Sequence, residues 1–133
     1  MRGTDFLKTV EVLRPYATDE WIVRTQIGRA YYATFWEARS FVETHLGYVR
    51  SGRASEHREV ATRLAFSDQQ AFRALSRLRV IRNAADYDDG MHPGAVGNLW
   101  VEAETLSAWV ITRLAELTQD AIEAENAAEG SAT

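Results

Sequence analysis

The stretch TQIGRAYYATFWEARSFVETHLG, residues 25–47, has the apolar spacing of an amphipathic helix. Its apolar residues recur every three or four positions, so they share one face. The members of this face are Tyr31, Phe35, Ala38 and Val42. Gly47 follows them at a position where helices commonly end. The spacing and the glycine together predict a long helix over about 19–46.

Helical spacing continues along the rest of the chain, with typical start and stop signals between the segments. The predicted helices cover about 5–13, 19–46, 55–65, 67–85 and 93–124. Their start signals are Thr18 or Asp19, Ser55, the capping box of Ser67 with Gln70, and Pro93. A second apolar face is formed by Phe72, Leu75, Leu78 and Ile81, and a third by Leu99, Leu106, Trp109, Val110 and Leu117. Since no segment alternates with the period of a strand, we predict an all-α, up-and-down bundle of four to five helices.

Length and composition are those of one soluble domain. The chain has 133 residues, of which 46% are hydrophobic and 26% charged. The absence of cysteine excludes disulfides and thiolate zinc sites. No apolar run reaches the length of a membrane span, and the first residues lack a signal-peptide core. We therefore expect a cytoplasmic domain over 1–124 and a flexible tail over 125–133, with no metal, cofactor or membrane.

Charge is distributed unevenly along the chain, although the total is only −4. Residues 50–82 carry eight arginines and three acids, whereas 83–133 carry one arginine and ten acids. The total argues against a general nucleic-acid binder, but the middle third can still form a basic face. Arginine suits bidentate phosphate contacts, and it is also common in proteins from GC-rich genomes.

The end of the fourth predicted helix, RVIRNAADYDDGMH over 79–92, concentrates polar residues. Arg79, Arg82 and Asp86 lie along one side of that helix. Asp86 is an acid near a helix C-terminus, where the macrodipole disfavours it. A partner cation, either Arg29 or Arg82, would explain its place as a structural pair, as most pairs of an acid and an arginine are, and a functional site is the other explanation.

Three motifs in this order resemble the HEPN family. They are Arg-Ala-Tyr-Tyr-Ala-x-Phe at 29–35, His-Arg-x-Val at 57–60 and Arg-Asn-x-Ala-Asp-Tyr at 82–87, and the resemblance runs from about Phe6 to Leu117. It implies an all-α bundle that is usually a homodimer. Many members are metal-independent endoribonucleases of toxin–antitoxin, CRISPR and other antiphage systems, in which paired Arg-x(4–6)-His motifs meet across the dimer and the RNA 2′-hydroxyl attacks the neighbouring phosphate.

The resemblance also implies roles for individual residues. Arg82 would bind the scissile phosphate, and Asn83 would either position that phosphate or hold Arg82. The position of the usual histidine holds Tyr87, and His92 follows Arg82 only after nine intervening residues, as the one candidate base near the motif. The supporting residues of this site are Arg29, Tyr32, Arg79, Asp86 and Tyr87.

Other interpretations stay open at this point. The same residues can form a buried polar network in a non-catalytic HEPN module, whose partner would be a nucleotidyltransferase or another defence protein. A nucleotide-binding module is a third interpretation, although no Gly-rich phosphate loop is present. The pairs Arg39–His45 and Arg50–His57 also have the required spacing, but on other segments, and we expect His57 to pack or to form a hydrogen bond. Two exposed tryptophans on one side would mark a dimer or partner surface.

Overall fold

The computed structural model describes residues 5, 8, 20–88, 90 and 93–131. Within that part of the chain the regular structure is helical, in four helices joined by loops. Their bounds are α1 Glu20–His45, α2 Glu56–Ala65, α3 Gln69–Tyr87 and α4 Pro93–Ser131. The all-α prediction is confirmed. The helix predicted over 5–13 lies outside the described residues, except for the helical Asp5 and Lys8.

α1 and α3 each pack against all three of the other helices, and the most extensive of these contacts joins α1 to α4. This contact is close enough for side chains of α4 to reach the backbone of α1. Thr34 Oγ1 donates to the carbonyl of Ala30 at 2.8 Å, and Ser107 Oγ of α4 lies 2.6 Å from Thr34 Oγ1. All three residues are fully buried. The two hydroxyls thus place polar groups in the core without leaving them unpaired.

The predicted core faces are largely confirmed. Every predicted member of the α1 face is buried, as are Leu75, Leu78 and Ile81 of α3. Phe72 is only partly buried, and Trp109 of α4 is 40% exposed. Trp109 therefore belongs to the surface rather than to the core. Trp21 is also exposed.

The end of α1 follows the sequence prediction closely. Gly47 has a φ of +68°, in the left-handed region that glycine adopts without strain. The amide of Tyr48 donates to the carbonyl of Val42 at 3.1 Å, which closes the last turn. The predicted start signals Thr18 and Asp19 lie outside the described residues.

One predicted N-cap is correct in position but makes no side-chain bond, and another is wrong. Ser55 occupies the N-cap position of α2, but its side chain makes no capping hydrogen bond. The cap of α3 is Asp68 rather than Ser67, since an Asp68 oxygen accepts from the amide of Ala71 at 2.8 Å. The other Asp68 oxygen accepts from Arg113 of α4 at 2.7 Å. This carboxylate has one oxygen for the helix terminus and another for the arginine, whereas a serine hydroxyl has a single, uncharged oxygen.

Two helices continue past their predicted ends. α3 includes Asp86 and Tyr87, which we expected in a loop. α4 runs to Ser131 instead of ending near Ala124, so most of the predicted tail is helical. The added segment is rich in alanine and glutamate, which have high helix propensity and can continue a helix without packing.

Candidate functional site

Arg82 is the centre of a polar network at the C-terminal end of α3. Its Nη2 donates to the hydroxyl of Tyr32 on α1 at 2.9 Å, and its Nη1 donates to Asn83 Oδ1 at 3.3 Å. Its Nε lies 2.8 Å from Asp86 Oδ2 but is not aligned for a hydrogen bond, so this contact is an ion pair. Arg82, rather than Arg29, is thus the cation that compensates Asp86.

The aromatic pair of α1 holds the same guanidinium by its rings. The Arg82 Cζ atom lies 5.2 Å from the centroid of Tyr32 and 5.9 Å from that of Tyr31. Only 19% of the Arg82 side chain is exposed. Cation–π attraction and hydrogen bonds therefore act on one partly buried group. A guanidinium with these contacts is a structural element of the α1–α3 packing as well as a candidate ligand.

An arginine of another helix caps the C-terminal end of α3, and it was not among the predicted site residues. Arg24 of α1 donates to the carbonyl of Ala85 at 2.7 Å and to that of Asp88 at 2.8 Å. Glu20 accepts from the same guanidinium at 2.7 Å. A cation at a helix C-terminus satisfies the last carbonyls and complements the macrodipole. No local pattern signals this cap, since Arg24 and Ala85 are separated by 61 positions.

A groove of about 380 Å³ opens beside the Arg82 network, between α1, α2 and α3. One part of its lining is apolar, and the other is polar or basic. The apolar part consists of Ala61, Phe72, Leu75 and Val80, and the polar part of Tyr31, His57, Arg58, Thr62, Ser76, Arg79 and Asn83. This size lies within the range of small-ligand sites.

Two arginines that line the groove have no acidic partner within the described part of the chain. Neither Arg58 nor Arg79 forms a hydrogen bond or an ion pair within the described part of the chain. Arg77, two positions before Arg79 on α3, contrasts with them because it pairs with Glu102 of α4 at 2.6 Å. The groove therefore offers unneutralised cations to an anion, which the Arg82 network does not.

His57 forms the inner wall of the groove. Its Nδ1 lies 2.5 Å from the hydroxyl of Tyr31, and its ring stacks on Phe35 with centroids 4.2 Å apart. Burial raises the pKa of Tyr31 to about 12. The pKa of His57 is lowered, first by burial and then by the positive charges of Arg79 and Arg82. A neutral imidazole and a protonated phenol are thus the stable forms.

His57 both packs and forms a hydrogen bond, as we expected, but its position beside Arg79 was not predicted from the residues. Its partner Tyr31 lies 26 positions earlier, so spacing could not reveal the pair. The available signal was the His-Arg-x-Val motif of the HEPN resemblance, at 57–60.

The remaining predicted site residues are less closely assembled. Arg29 lines a different cavity, of about 520 Å³, which it shares with Tyr32 and Asp86. Tyr87 is 75% exposed. His92 lies outside the described residues.

The two other arginine–histidine pairs do not form a site. Arg39 lies 3.6 Å from Glu43 and 3.7 Å from Glu56, while His45 lies 3.5 Å from Glu125. Arg50 pairs with Glu43 at 2.7 Å, away from His57. The acids around these arginines neutralise the charge that a phosphate would need.

Among the described residues, no three His, Cys, Asp or Glu side chains cluster as metal ligands would. None of the described helices combines the length and the apolar character that crossing a membrane requires. A comparison of the chain with protein-family models, curated proteins and solved structures finds no match.

Proposed function

We propose that the chain is an RNA-targeting HEPN-like module of a prokaryotic defence or toxin–antitoxin system, acting in the cytoplasm, and that RNA binds in the groove. The observation that carries this proposal is the pair of unneutralised arginines, Arg58 and Arg79, beside an apolar wall. Arginine binds phosphate oxygens, and an apolar or aromatic surface accepts an unstacked base. A single-stranded RNA segment supplies both groups.

The charge distribution supports the same ligand. Residues 50–82, which include α2 and most of α3, have a net charge of +5. A polyanion gains affinity from such a surface through the release of its counterions. We therefore expect RNA binding to weaken steeply as salt is added.

The reaction that we propose is metal-independent cleavage of the RNA backbone. The 2′-oxygen forms a bond to the adjacent phosphorus while the bond to the 5′-oxygen breaks, which leaves a 2′,3′-cyclic phosphate and a 5′-hydroxyl. An arginine stabilises the negative charge that develops on the phosphate. Arg79 can fill this role without losing a protein contact, whereas Arg82 must release Tyr32 or Asp86. In this proposal His92 accepts the proton of the 2′-hydroxyl and returns it to the leaving 5′-oxygen, so no further acid is consumed.

The test is cleavage of labelled single-stranded and structured RNA by the purified protein in EDTA. We expect cleavage that is blocked by a 2′-deoxy substitution at the scissile nucleotide. It should fall by roughly 100-fold in Arg79→Ala. Arg73→Ala is the matched control, because Arg73 is an exposed arginine of the same helix and does not line the groove. His92→Ala tests the proposed acceptor. Absence of cleavage by the wild type would refute the enzymatic function.

A non-catalytic binding module is the second candidate, favoured by one observation. The guanidinium of Arg82 is engaged by Tyr32, Asn83 and Asp86, as expected of a residue that fixes a helix end. In this case the protein acts as a homodimer or with a partner such as a nucleotidyltransferase. Arg82→Ala would then lower the melting temperature or dissociate the dimer, measured by light scattering, in a protein that cuts no RNA. A mononucleotide added in the same assay tests the nucleotide-binding alternative.

A further inference from the structure

The contact between Tyr31 and His57 joins a buried phenol of α1 to a partly buried imidazole of α2. The Tyr31 side chain is 1% exposed, and its hydroxyl lies 2.5 Å from His57 Nδ1. Stacking on Phe35 fixes the plane of the imidazole. The Tyr31 hydroxyl forms no other hydrogen bond within the described residues. The direction of this one bond therefore decides which nitrogen of His57 carries the proton.

The phenol is the donor of the pair. Burial raises the pKa of Tyr31 to about 12, so the hydroxyl keeps its proton at neutral pH. A buried hydroxyl proton needs an acceptor, and the lone pair of Nδ1 is the one within reach. A neutral imidazole has one N–H and one bare nitrogen. When Nδ1 accepts, the proton of His57 must be on Nε2.

The surrounding charges keep this imidazole neutral. The titratable and charged groups that act on it from the three helices are Tyr31, Tyr32 and Arg39 of α1, Glu56 of α2, and Arg79 and Arg82 of α3. Burial and the two α3 arginines together outweigh the attraction of Glu56. Protonation of Nδ1 would also remove the acceptor of the Tyr31 hydroxyl.

We propose that Tyr31 fixes His57 in its Nε2–H tautomer, and that His57 and Arg79 together bind one phosphodiester of an RNA strand in the groove. Nε2 has no partner within the described residues, and it is not among the buried unpartnered atoms, so it reaches the groove. A neutral N–H donor beside a free guanidinium matches the two non-bridging oxygens of a singly charged phosphodiester. His57 is then a phosphate ligand and not the proton acceptor, and Tyr31 is a positioning residue.

This inference rests on the proposed RNA function for its ligand, but its first test needs no RNA. In the ¹⁵N-labelled full chain, NMR of the histidine rings shows which nitrogen of His57 carries hydrogen. We expect hydrogen on Nε2, and hydrogen on Nδ1 would overturn the proposal. In Tyr31→Phe we expect a mixture of tautomers and a raised pKa of His57. Tyr48→Phe is the matched control, because Tyr48 is buried but does not contact His57. If Tyr31→Phe does not fold, the tautomer of His57 in the wild type is by itself the test of the proposal.

The second test uses a 2′-deoxy dinucleoside monophosphate, which has one phosphodiester and cannot be cleaved by 2′-oxygen attack. We expect it to shift the His57 Nε2–H signal and to bind roughly tenfold more weakly to His57→Ala and to Arg79→Ala. His45→Ala, which changes a histidine outside the groove, should bind as the wild type does. Unchanged affinity in His57→Ala would overturn the proposal.

The two tests separate this inference from the function on which it rests. RNA cleavage by a protein with hydrogen on Nδ1 would refute the tautomer and leave the ribonuclease in place. The Nε2–H tautomer with phosphodiester binding, in a protein that cuts no RNA, would support the binding site and refute the enzyme.

Discussion

The guanidinium of Arg82 donates a 2.9 Å hydrogen bond to the hydroxyl of Tyr32, a residue 50 positions earlier in the chain. This bond joins the motif at the end of α3 to the aromatic pair of α1. It lies between the groove that contains Arg79 and the second cavity that contains Arg29. A change in either partner should therefore alter the packing of α1 against α3 before it alters any chemistry.

Tyr32→Phe removes the acceptor and keeps the ring. We expect the free energy of unfolding to fall by roughly 1–2 kcal/mol, the range of a hydrogen bond from a charged donor at a partly exposed site. Urea denaturation measures this loss. Tyr87→Phe is the matched control, because Tyr87 is 75% exposed and should change stability by less than about 0.5 kcal/mol. Equal stability of the two variants would contradict a stabilising role for the Arg82–Tyr32 bond.

Arg24→Ala tests the cap of α3. Loss of the two carbonyl contacts should destabilise the protein by about 1–2 kcal/mol. Hydrogen exchange should accelerate first at the amide of Asp88, which donates to the carbonyl of Ala84 in the last turn. Arg73→Ala, which changes an exposed arginine near the start of α3, should leave this amide unchanged. Uniform acceleration along α3 would show that Arg24 does not act as a local cap.

Thr34 and Ser107 should be coupled energetically. Each single variant, Thr34→Val or Ser107→Ala, leaves a buried hydroxyl with a weaker set of partners and should cost about 1–3 kcal/mol. The double variant should cost less than the sum, with a coupling energy of about 0.5–1.5 kcal/mol. Urea denaturation of the wild type, the two single variants and the double variant completes the double-mutant cycle. Strict additivity would mean that the 2.6 Å contact contributes no stability.

The ionisation of Asp68 should make the free energy of unfolding depend on pH in the acidic range. Burial opposes its charged form, but the hydrogen bonds from the Ala71 amide and from Arg113 outweigh it, so its pKa is lowered from the ordinary 3.8. The pKa of Asp68 is thus lower in the folded state than in the unfolded state. Its contribution to the free energy of unfolding is therefore fully present at pH values above the unfolded-state pKa, and it is lost as the pH falls through the folded-state pKa.

Chemical denaturation over a series of acidic pH values tests this sign. Asp68→Asn should be less stable than the wild type at neutral pH, and the difference should shrink below the ordinary carboxyl range. Asp120→Asn, which alters an exposed acid of α4, should follow the wild-type curve. A difference that grows in acid would contradict the lowered pKa.

The helices could be predicted because their signals are local. The apolar face of α1 and the left-handed Gly47 lie within one segment, and the structure places the helix end within a residue or two of the prediction. The wrong cap of α3 has a cause that is partly distant. Asp68 caps α3 while it binds Arg113, which is 45 positions away. A local search therefore preferred the capping-box pattern of Ser67.

The candidate site could be predicted only in part for the same reason. The Arg82–Asp86 pair is one helical turn long and was one of two expected pairs. The groove depends on three helices that bring Tyr31, His57 and Arg79 together. Contacts between residues so far apart in the chain produce no periodic pattern in the sequence. The predicted base His92 lies outside the described residues and stays a prediction.

The position of α4 has a kinetic consequence for any polyanion. The groove is lined by α1, α2 and α3, whereas α4 carries seven acids and one arginine, a net charge of −6. Positive and negative charges are therefore separated across the molecule, which gives it an electric dipole that the total charge of −4 does not indicate. If RNA binds in the groove as proposed, a strand that approaches the α4 side should be repelled, and one that approaches the groove should be attracted. The acids of α4 would then favour one orientation of the encounter, and added salt should slow association more than it speeds dissociation.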